Sequence, residues 1–484
     1  MVFFLIFLTL TFGSKLHSQQ LTIPDFIAGL RYYNPEKSCN GYTILTLNTA
    51  YVGQSKYKTL LIDMDGQVVQ KWPIRGQPIK VLPGGSVIGW DGYHLAGGQI
   101  SAIEARKLVQ LDWSGKNVEW EFSEWDKIKN DNKTYEWEAR QHHDWQRQGN
   151  PVGYYAPGQE PLTYGGTTFV LAHKDVKFPQ LTKKMLLDDA IYEVDENGKL
   201  IDPSEGGFRW FASEHYNEFG FDKDAEDGIK NFCSLIALCD WLHINSMSFV
   251  GPNKWYNEGD ERFNPDNIII DSRNASFTAI IDRKTGNIVW KIGPDYSKNK
   301  PEHKLGKIIG QHHAHIIPAG LPGEGNVLLF DNGGFASYGK IANLPFAPKG
   351  MPKDLRAYSR IIEFNPKTLD IVWKYHDNNG LTIPLSGENH RFFSILISSA
   401  QRLPNGNTLI TEGITGRIFE VTKDKEITWE YIVPYSAMTL NSTYRAYRVP
   451  PKWLTDRSGE MLMDMNGKKL VNYYQNTPLD DSWK

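Results

Sequence analysis

A short phrase of alternating apolar and polar residues recurs along the 484-residue chain. Each copy starts with an apolar strand, passes through a turn rich in Asp, Asn and Gly, and continues into a second strand that often ends in Trp. Alternation with a period of two on both sides of such a turn is typical of an antiparallel β-hairpin. The third copy lacks Trp at the matching position. The copies start at Thr59, Leu108, Ile191, Ala279, Ile361 and Ile418.

A second phrase, a polar turn followed by an apolar strand, lies between these hairpins. Its instances cover residues 82–88, 325–330 and 403–410. Two hairpin types that alternate about six times describe four-stranded blades around an axis. The sequence therefore predicts an all-β fold: one β-propeller of six four-stranded blades, with long loops interrupting some of them. The alternative, a protein of several packed sandwich sheets, would not require one phrase to repeat.

The ends of the chain differ from this pattern. The apolar run over residues 2–8 is too short to span a bilayer and has the length of the apolar core of a signal peptide. We expect a signal peptide over residues 1–18, cut near Ser18, and hence a secreted or periplasmic protein without a membrane span; a buried N-terminal strand is the alternative. Residues 19–40 then form an N-terminal extension, residues 41–460 the propeller, and residues 461–484 a polar C-terminal tail.

Composition narrows the classes of ligand. The formal net charge is −3, so no basic field favours nucleic acid as a partner. An anionic substrate, either a small molecule or an oligosaccharide, must be met by a local group of Arg, His or backbone N–H donors. Only three Cys are present, which allows one disulfide at most. Cys233 and Cys239 are close in sequence, but no second Cys pair completes a zinc site.

Histidines are concentrated in four clusters. Each cluster precedes a strand that would be the innermost of its blade, so the clusters are expected to converge on the propeller axis. A single His is usually a hydrogen-bonded structural residue, but a repeated position in several blades favours a functional site. The clusters are Gln141-His142-His143-Asp144, residues 240–246, Gln311-His312-His313-Ala314-His315, and Glu388-Asn389-His390-Arg391.

Two reactions suit such a centre. In one, a neutral imidazole attacks sulfur or phosphorus while Arg and protonated His hold the oxygens. In the other, His or Tyr removes a proton beside a carboxylate, and Arg and Asn stabilise the enediolate. No cofactor is predicted. A bound metal is left open, because His313 could share one strand face with His315, and His142 could share one with Asp144.

These segments resemble the bacterial arylsulfotransferase (arylsulfate sulfotransferase) family, in the same order, from about residue 40 to 435. The resemblance implies a six-bladed propeller that transfers sulfuryl groups between phenols, without a nucleotide donor, through a sulfohistidine. The segments that carry it are His142-His143-Asp144, His243-Ile244-Asn245-Ser246, Asp271-Ser272-Arg273, Gln311-His312 and Phe330-Asp331-Asn332-Gly333.

By this resemblance, His312 is the nucleophile, His243, Asn245 and Arg273 hold the sulfuryl oxygens, and His143 or His142 is the remaining active-site His. A lyase or dehydratase that eliminates across uronate units of sulfated, ulvan-like oligosaccharides is the alternative, with His as base and Arg273 on the carboxylate. We expect the catalytic residues to be His312, His243, His143 and Arg273, and the substrate-binding residues to be Asn245, His142, His313, His315, His390 and Arg391.

Overall fold

The computed structural model describes residues 28–47, 58–98, 102–129, 133–338, 354–376, 392–434 and 441–473. The predicted signal peptide, residues 1–18, lies outside the described residues, as do two of the predicted substrate-binding residues, His390 and Arg391.

Strands make up most of the described secondary structure. In chain order they are β1 (Gly29–Tyr33), β2 (Tyr42–Thr46), β3 (Thr59–Ile62), β4 (Val68–Trp72), β5 (Arg75–Val81), β6 (Val87–Leu95), β7 (Ile103–Leu111), β8 (Val118–Phe122), β9 (Asp126–Lys129), β10 (Tyr135–Glu138), β11 (Gln141–Arg147), β12 (Thr168–Lys177), β13 (Met185–Val194), β14 (Arg209–Phe211), β15 (Cys239–Asp240), β16 (Ile244–Phe249), β17 (Ile268–Ser272), β18 (Phe277–Ile281), β19 (Ile288–Ile292), β20 (His312–Ile316), β21 (Val327–Asp331), β22 (Arg360–Phe364), β23 (Ile371–Tyr375), β24 (Ser399–Arg402), β25 (Thr408–Glu412), β26 (Arg417–Val421), β27 (Ile427–Ile432) and β28 (Ala446–Val449).

The helices are short and lie in the connections. They are α1 (Lys223–Leu235), α2 (Lys254–Asn257) and the 3₁₀ segments Ala96–Gly98, Pro203–Glu205, Ala212–Phe219, Glu261–Phe263, Pro301–Leu305 and Pro451–Leu454. Helices that combine the length and the apolar character needed to cross a lipid bilayer are absent from the described residues.

Antiparallel pairing in chain order groups the strands into four-stranded meanders. Three meanders are separate sheets: β2–β4 with β28, β16–β19, and β20–β23. A fourth, β24–β27, carries β1 as an additional outer strand. The meanders β5–β8 and β11–β14 share one nine-stranded sheet, which also includes β15. The predicted all-β propeller is confirmed, but the sheets differ from six separate blades: four blades stand alone and two meanders are fused.

The fusion follows from strand length. Strands β6 and β7 have nine residues each, and β12 and β13 have ten, whereas strands such as β2 have five. The long β7 therefore extends beyond its own meander, and Ala105 near its start pairs with Gln141 at the start of β11. This pairing holds β11, the strand with the first predicted His cluster, against β7.

The innermost strands close a ring around the axis. Going around it, β5 contacts β11, β11 contacts β16, β16 contacts β20, β20 contacts β24, β24 contacts β28, and β28 contacts β5. One sheet combines β28, from the C-terminal part of the chain, with β2–β4, from the N-terminal part. Pairing of distant segments in one sheet closes the ring without leaving a free inner edge.

A repeated tryptophan hydrogen bond joins each meander to the next. The indole N–H on the outer strand donates to a backbone carbonyl in the last hairpin turn of the following meander. Trp210 on β14 supplies the indole for the third hairpin, which lacks Trp at the position matched in sequence. The pairs are Trp72 to Asp112, Trp120 to Asp195, Trp210 to Gly286, Trp290 to Pro366, Trp373 to Lys423 and Trp429 to Met64, at 2.8 to 3.3 Å.

A helical insertion between β14 and β16 supports the axis. The Asp222 side chain caps α1 by accepting from Ala225 N at 2.8 Å, and the helix buries Ala225, Ile229 and Cys233 on one face. Cys233 forms a disulfide with Cys239, the first residue of β15. Because β15 runs parallel to β13, the insertion delivers the following residue, Asp240, to the side of β13.

Candidate active site

Bulges at the starts of the innermost strands aim the histidines. The register shifts within β11, at the start of β16 and within β20, and the residues His143, His243 and His313 at these points have φ values of 55°, 52° and 56°. Left-handed backbone is uncommon for residues other than glycine, and bulges redirect side chains near active sites. Strict alternation of faces therefore fails where the predicted site residues lie.

The structure brings four of the predicted site residues together: His143, His243, His312 and Arg273, here called the axial site. The rings of His143 and His243 are 4.5 Å apart, centroid to centroid. Burial, the nearby Arg273 guanidinium and the His243 imidazole hold the pKa of His312 well below its usual range. Burial and the neighbouring imidazoles, those of His243 and His312 among them, lower the pKa of His143 in the same way.

His312 has a defined orientation. Its Nδ1 lies 2.7 Å from Asn332 Oδ1, and its Nε2 accepts a hydrogen bond from Ile397 N–H at 3.1 Å. The amide oxygen can only accept, so Nδ1 carries the proton and Nε2 carries the lone pair. Ile397 has φ of 53°, an outlier for a β-branched residue of the kind that clusters at functional sites. The ring is a neutral imidazole whose unprotonated nitrogen is Nε2.

His243 forms a pair with a carboxylate. Its Nδ1 lies 2.5 Å from Asp240 Oδ2. Burial alone would raise the pKa of Asp240, but the His243 charge and hydrogen bond hold it below its usual value. A carboxylate bound to Nδ1–H stabilises the imidazolium and leaves Nε2 available to exchange a proton.

Arg273 lies in the turn between β17 and β18. Among the described residues, its guanidinium donates one side-chain hydrogen bond, to Asn274 Oδ1 at 2.9 Å. Asn274 in turn donates to the Asp240 backbone carbonyl at 2.9 Å, which ties the arginine to the Asp240–His243 pair. Arginine presents five donors, so most of the guanidinium N–H groups are free to meet anionic oxygens.

His142 lies behind the axial site. Its Nδ1 is 2.8 Å from His143 Nδ1, and its ring stacks on His173 with centroids 3.6 Å apart. The side chain is fully buried, whereas His143 and His243 are 5% and 7% exposed. Solvent therefore reaches the axial site past His143 and His243, and His142 contacts it only through His143.

The remaining described candidates are also fully buried. Asn245 donates from Nδ2 to the Gln311 carbonyl at 2.8 Å, which links β16 to the segment before β20. The rings of His313 and His315 lie 4.4 Å apart, and His315 Nε2 is 2.8 Å from the Tyr154 hydroxyl. Asn245, His313 and His315 are each 0% exposed.

A second buried cluster, Lys80, Asp144 and Arg445, adjoins His313. Asp144 binds Lys80 Nζ at 2.7 Å and Arg445 at 2.9 Å. The carboxylate is thus occupied by two cations, which speaks against Asp144 and His142 as a shared metal site. Arg445 also contributes to the lowered pKa of His313, together with burial.

Sequence reasoning did not single out several residues that position the axial site. Asp240 and Asn332 lie inside motifs of the sequence, but their partners, His243 and His312, become evident only from contacts in the folded chain. Arg445 and Tyr444 precede β28, and no motif marks them; the Tyr444 ring lies 5.7 Å from that of His143. Their only sequence signal is that they precede the strand that closes the ring.

The fold and the site define the class of protein: an all-β propeller with imidazole and guanidinium groups gathered at its axis. The sequence model described as "Arylsulfotransferase (ASST)" matches residues 162–448. The chain belongs to the arylsulfotransferase family. This membership supports an arylsulfotransferase-like enzyme and sulfuryl transfer as the general class of its chemistry.

Solved structures resemble this chain only distantly. A protein of unknown function from Bacteroides caccae has a TM-score of 0.41 at 10% identity, covering 84% of this chain and 99% of that chain. Virginiamycin B lyase from Staphylococcus aureus has a TM-score of 0.32 at 10% identity, covering 84% of this chain and 89% of that chain. These likenesses carry no argument about activity. A comparison with curated proteins finds no match.

Proposed function

We propose that this protein transfers a sulfuryl group from an aryl sulfate ester to a phenolic or other hydroxyl acceptor through a sulfohistidine at His312. The observation that carries the proposal is the state of His312: a buried, neutral ring whose Nδ1 is bound to Asn332 and whose Nε2 lone pair lies in the same cluster as Arg273 and His243. A nucleophile and a cationic binding group are both needed for sulfuryl transfer.

In the first step, His312 Nε2 attacks the ester sulfur once the hydrogen bond from Ile397 N–H is given up. The new N–S bond forms as the bond between sulfur and the aryl oxygen breaks. The electron pair leaves with the phenolate oxygen, which takes a proton from His243 Nε2. Asp240 stabilises the His243 imidazolium before this transfer through the hydrogen bond at Nδ1.

In the second step, neutral His243 accepts the hydroxyl proton of the acceptor. The acceptor oxygen attacks sulfur, the N–S bond breaks, and its electron pair returns to His312 Nε2. Arg273 holds the sulfuryl oxygens in both steps, because its charge is fixed and its N–H groups are mostly unbound. The His143 imidazole is a further contact for the same sulfuryl oxygens.

The test uses 4-nitrophenyl sulfate with and without a phenol acceptor. We expect nitrophenolate release that depends on acceptor, and, with donor alone, a peptide containing His312 that carries the mass of one sulfuryl group. His312→Ala should abolish both signals. His215→Gln, a histidine that pairs with Glu218 outside the axial site, serves as the matched control and should retain both.

Two results would contradict the proposal. One is full activity in a folded His312→Ala protein. The other is absorbance of an unsaturated uronate from sulfated uronate oligosaccharides, with no nitrophenolate from the aryl ester, which would point to elimination instead.

We also propose that the protein acts outside the cytoplasm, as a secreted or periplasmic enzyme. The disulfide between Cys233 and Cys239 supports an oxidising compartment. N-terminal sequencing of the protein recovered from the medium or periplasm tests this: a mature start near Gln19 is expected, and an uncut protein confined to the cytoplasm would overturn it.

A further inference from the structure

Three buried polar atoms face one another behind the axial site. His142 lies on β11, His173 on β12 and Asp189 on β13, three neighbouring strands of one meander, and His173 pairs directly with Asp189 across the sheet. His142 Nε2 is 3.3 Å and His173 Nε2 is 4.0 Å from Asp189 Oδ1. The three side chains form one compact triad that has no solvent exposure.

One atom of each triad residue lacks a hydrogen-bond partner. Among the described residues, His142 Nε2, His173 Nε2 and Asp189 Oδ2 are buried without any hydrogen bond. A buried polar atom without a partner is costly, and three that converge on one point require an explanation. One potential ligand atom from each of the three residues lies within 4.8 Å of the other two, which is compatible with a single ion between them.

The surroundings set the tautomer of one imidazole and hold the carboxylate in place. His173 Nδ1 lies 2.8 Å from Glu104 Oε1, and Glu104 also receives Arg140 Nε at 2.8 Å. A carboxylate that accepts from Nδ1–H leaves the lone pair on Nε2, the arrangement found behind most metal-binding histidines. Asp189 Oδ1 is held by Ile244 N–H at 3.1 Å, so the backbone next to His243 fixes the carboxylate.

We propose that His142, His173 and Asp189 bind one divalent transition-metal ion of the Zn²⁺ type. Two imidazole nitrogens and a carboxylate oxygen are a donor set that Zn²⁺ accepts, with ligand atoms about 3.3 Å apart in a tetrahedral site. The His142–Asp189 separation of 3.3 Å already matches this value, and the His173–Asp189 separation of 4.0 Å must shorten to about the same value on binding. This triad differs from the His142–Asp144 and His313–His315 pairs that sequence spacing offered.

The ion would act on the axial site through one hydrogen bond, a consequence that rests on the proposed function. With Nε2 of His142 bound to metal, its Nδ1 carries the proton and donates to His143 Nδ1, 2.8 Å away. His143 then holds its own proton on Nε2 and presents an N–H donor. The metal site is thus a positioning device, buried and out of contact with substrate.

The test begins with untagged wild-type protein. After treatment with pyridine-2,6-dicarboxylate and gel filtration, the protein is reloaded with Zn²⁺ or Co²⁺. We expect about one ion retained per chain, a rise in Tm on reloading, and, for Co²⁺, visible absorption and an X-ray absorption spectrum with two imidazole ligands. No retained ion and no rise in Tm would overturn the proposal, and would leave a shared proton between His142 and Asp189 as the explanation of the triad.

Variants identify the ligands. Asp189→Asn and His173→Gln should each lose the retained ion and the rise in Tm, while His215→Gln, a partly buried histidine that pairs with Glu218, should keep both. Retention in a folded Asp189→Asn or His173→Gln protein would place the ion elsewhere and contradict the proposal. If either variant fails to fold, the wild-type Co²⁺ and X-ray absorption spectra decide alone. None of these readouts requires sulfuryl transfer, so failure of the metal proposal and failure of the proposed function are distinguishable.

Discussion

Burial controls the protonation of single residues in this protein. His312 is 1% exposed, and burial with the charge of Arg273 keeps its ring neutral, while Asn332 determines which nitrogen holds the proton. A neutral ring with the wrong tautomer would turn an N–H, not a lone pair, toward the substrate. The hydrogen bond from His312 to Asn332 therefore favours the tautomer that the proposed reaction needs.

Removing that hydrogen bond tests its role. We expect Asn332→Ala to slow sulfuryl transfer about tenfold or more, the equivalent of one lost hydrogen bond of about 1.4 kcal/mol, because His312 Nδ1–H loses its shorter hydrogen bond and keeps the longer one, to Gly310 O at 3.2 Å. Stopped-flow measurement of nitrophenolate release gives the rate of the first step. Asn326→Ala removes another buried amide, which donates to Glu363 on an outer strand pair, and should leave that rate unchanged. Equal rates in wild type and Asn332→Ala would remove Asn332 from the mechanism.

Asp271 gives a pH-dependent prediction. Burial raises its pKa to about 7, above the ordinary value of 3.8, although it accepts hydrogen bonds from Ser246 Oγ and Ala314 N–H. The folded state binds this proton more tightly than the unfolded state, so the stability it contributes is lost as pH rises from about 4 to about 7, at about 1.4 kcal/mol per pH unit. Asp271→Asn cannot lose a proton. Its stability deficit relative to wild type, measured by chemical unfolding, should narrow from pH 5 to pH 7; a constant deficit would contradict the shift.

At the scale of elements, the insertion between β14 and β16 supplies a residue of the axial site's surroundings that the repeated meanders do not contain. The meander β16–β19 provides His243, but its partner Asp240 comes from β15, which lies parallel to β13 in an otherwise antiparallel sheet. The disulfide between Cys233 and Cys239 joins α1 to this strand. Loss of the bridge should loosen the Asp240–His243 pair without opening the propeller.

The double change Cys233→Ser and Cys239→Ser measures this coupling. Closing so short a loop contributes about 2 kcal/mol in the chain-entropy description of disulfides. We expect a lower Tm, and a lower kcat because His243 is less well oriented. Dithiothreitol should lower the Tm of wild type but not of the double variant. Cys39→Ser, which changes a buried free thiol, is the control. A wild-type Tm that is the same with and without dithiothreitol would contradict the prediction.

At the scale of the whole molecule, indole hydrogen bonds link the meanders into a ring. Each meander depends on the next, so a weakened link lowers the stability of the whole propeller. Trp210 is 2% exposed, whereas the Trp373 indole lies at a more open position and donates to Lys423 O. Water can replace a lost partner at an exposed carbonyl but not at a buried one.

The two tryptophans should therefore differ when changed to Phe. We expect Trp210→Phe to reduce the free energy of unfolding by about 1 to 2 kcal/mol, and Trp373→Phe to reduce it by less. Denaturant unfolding of both variants beside wild type makes the comparison. If Trp373→Phe lowers the free energy of unfolding as much as Trp210→Phe or more, the contribution of each indole hydrogen bond does not follow its burial.

The sequence by itself determined the elements and their chemistry. Hairpin alternation, turn residues and the repeated His motifs are local, so they predicted the all-β propeller and pointed to His143, His243 and His312, while the family resemblance implied Arg273. The fused nine-stranded sheet and Trp210 were missed, because strand extension and indole partners depend on contacts between distant segments.

Only the tertiary structure decided which histidines belong to the same cluster. Bulges in β11 and β20 break the alternation of faces, so the neighbours His312 and His313 enter different clusters, and His142 joins His173 and Asp189 and not Asp144. The partners Asp240 and Asn332 likewise become evident only when strands far apart in sequence meet at the axis. The residue type gives each side chain its chemistry. Which residues surround it, and whether it is protonated, depend on how the folded ring packs and buries it.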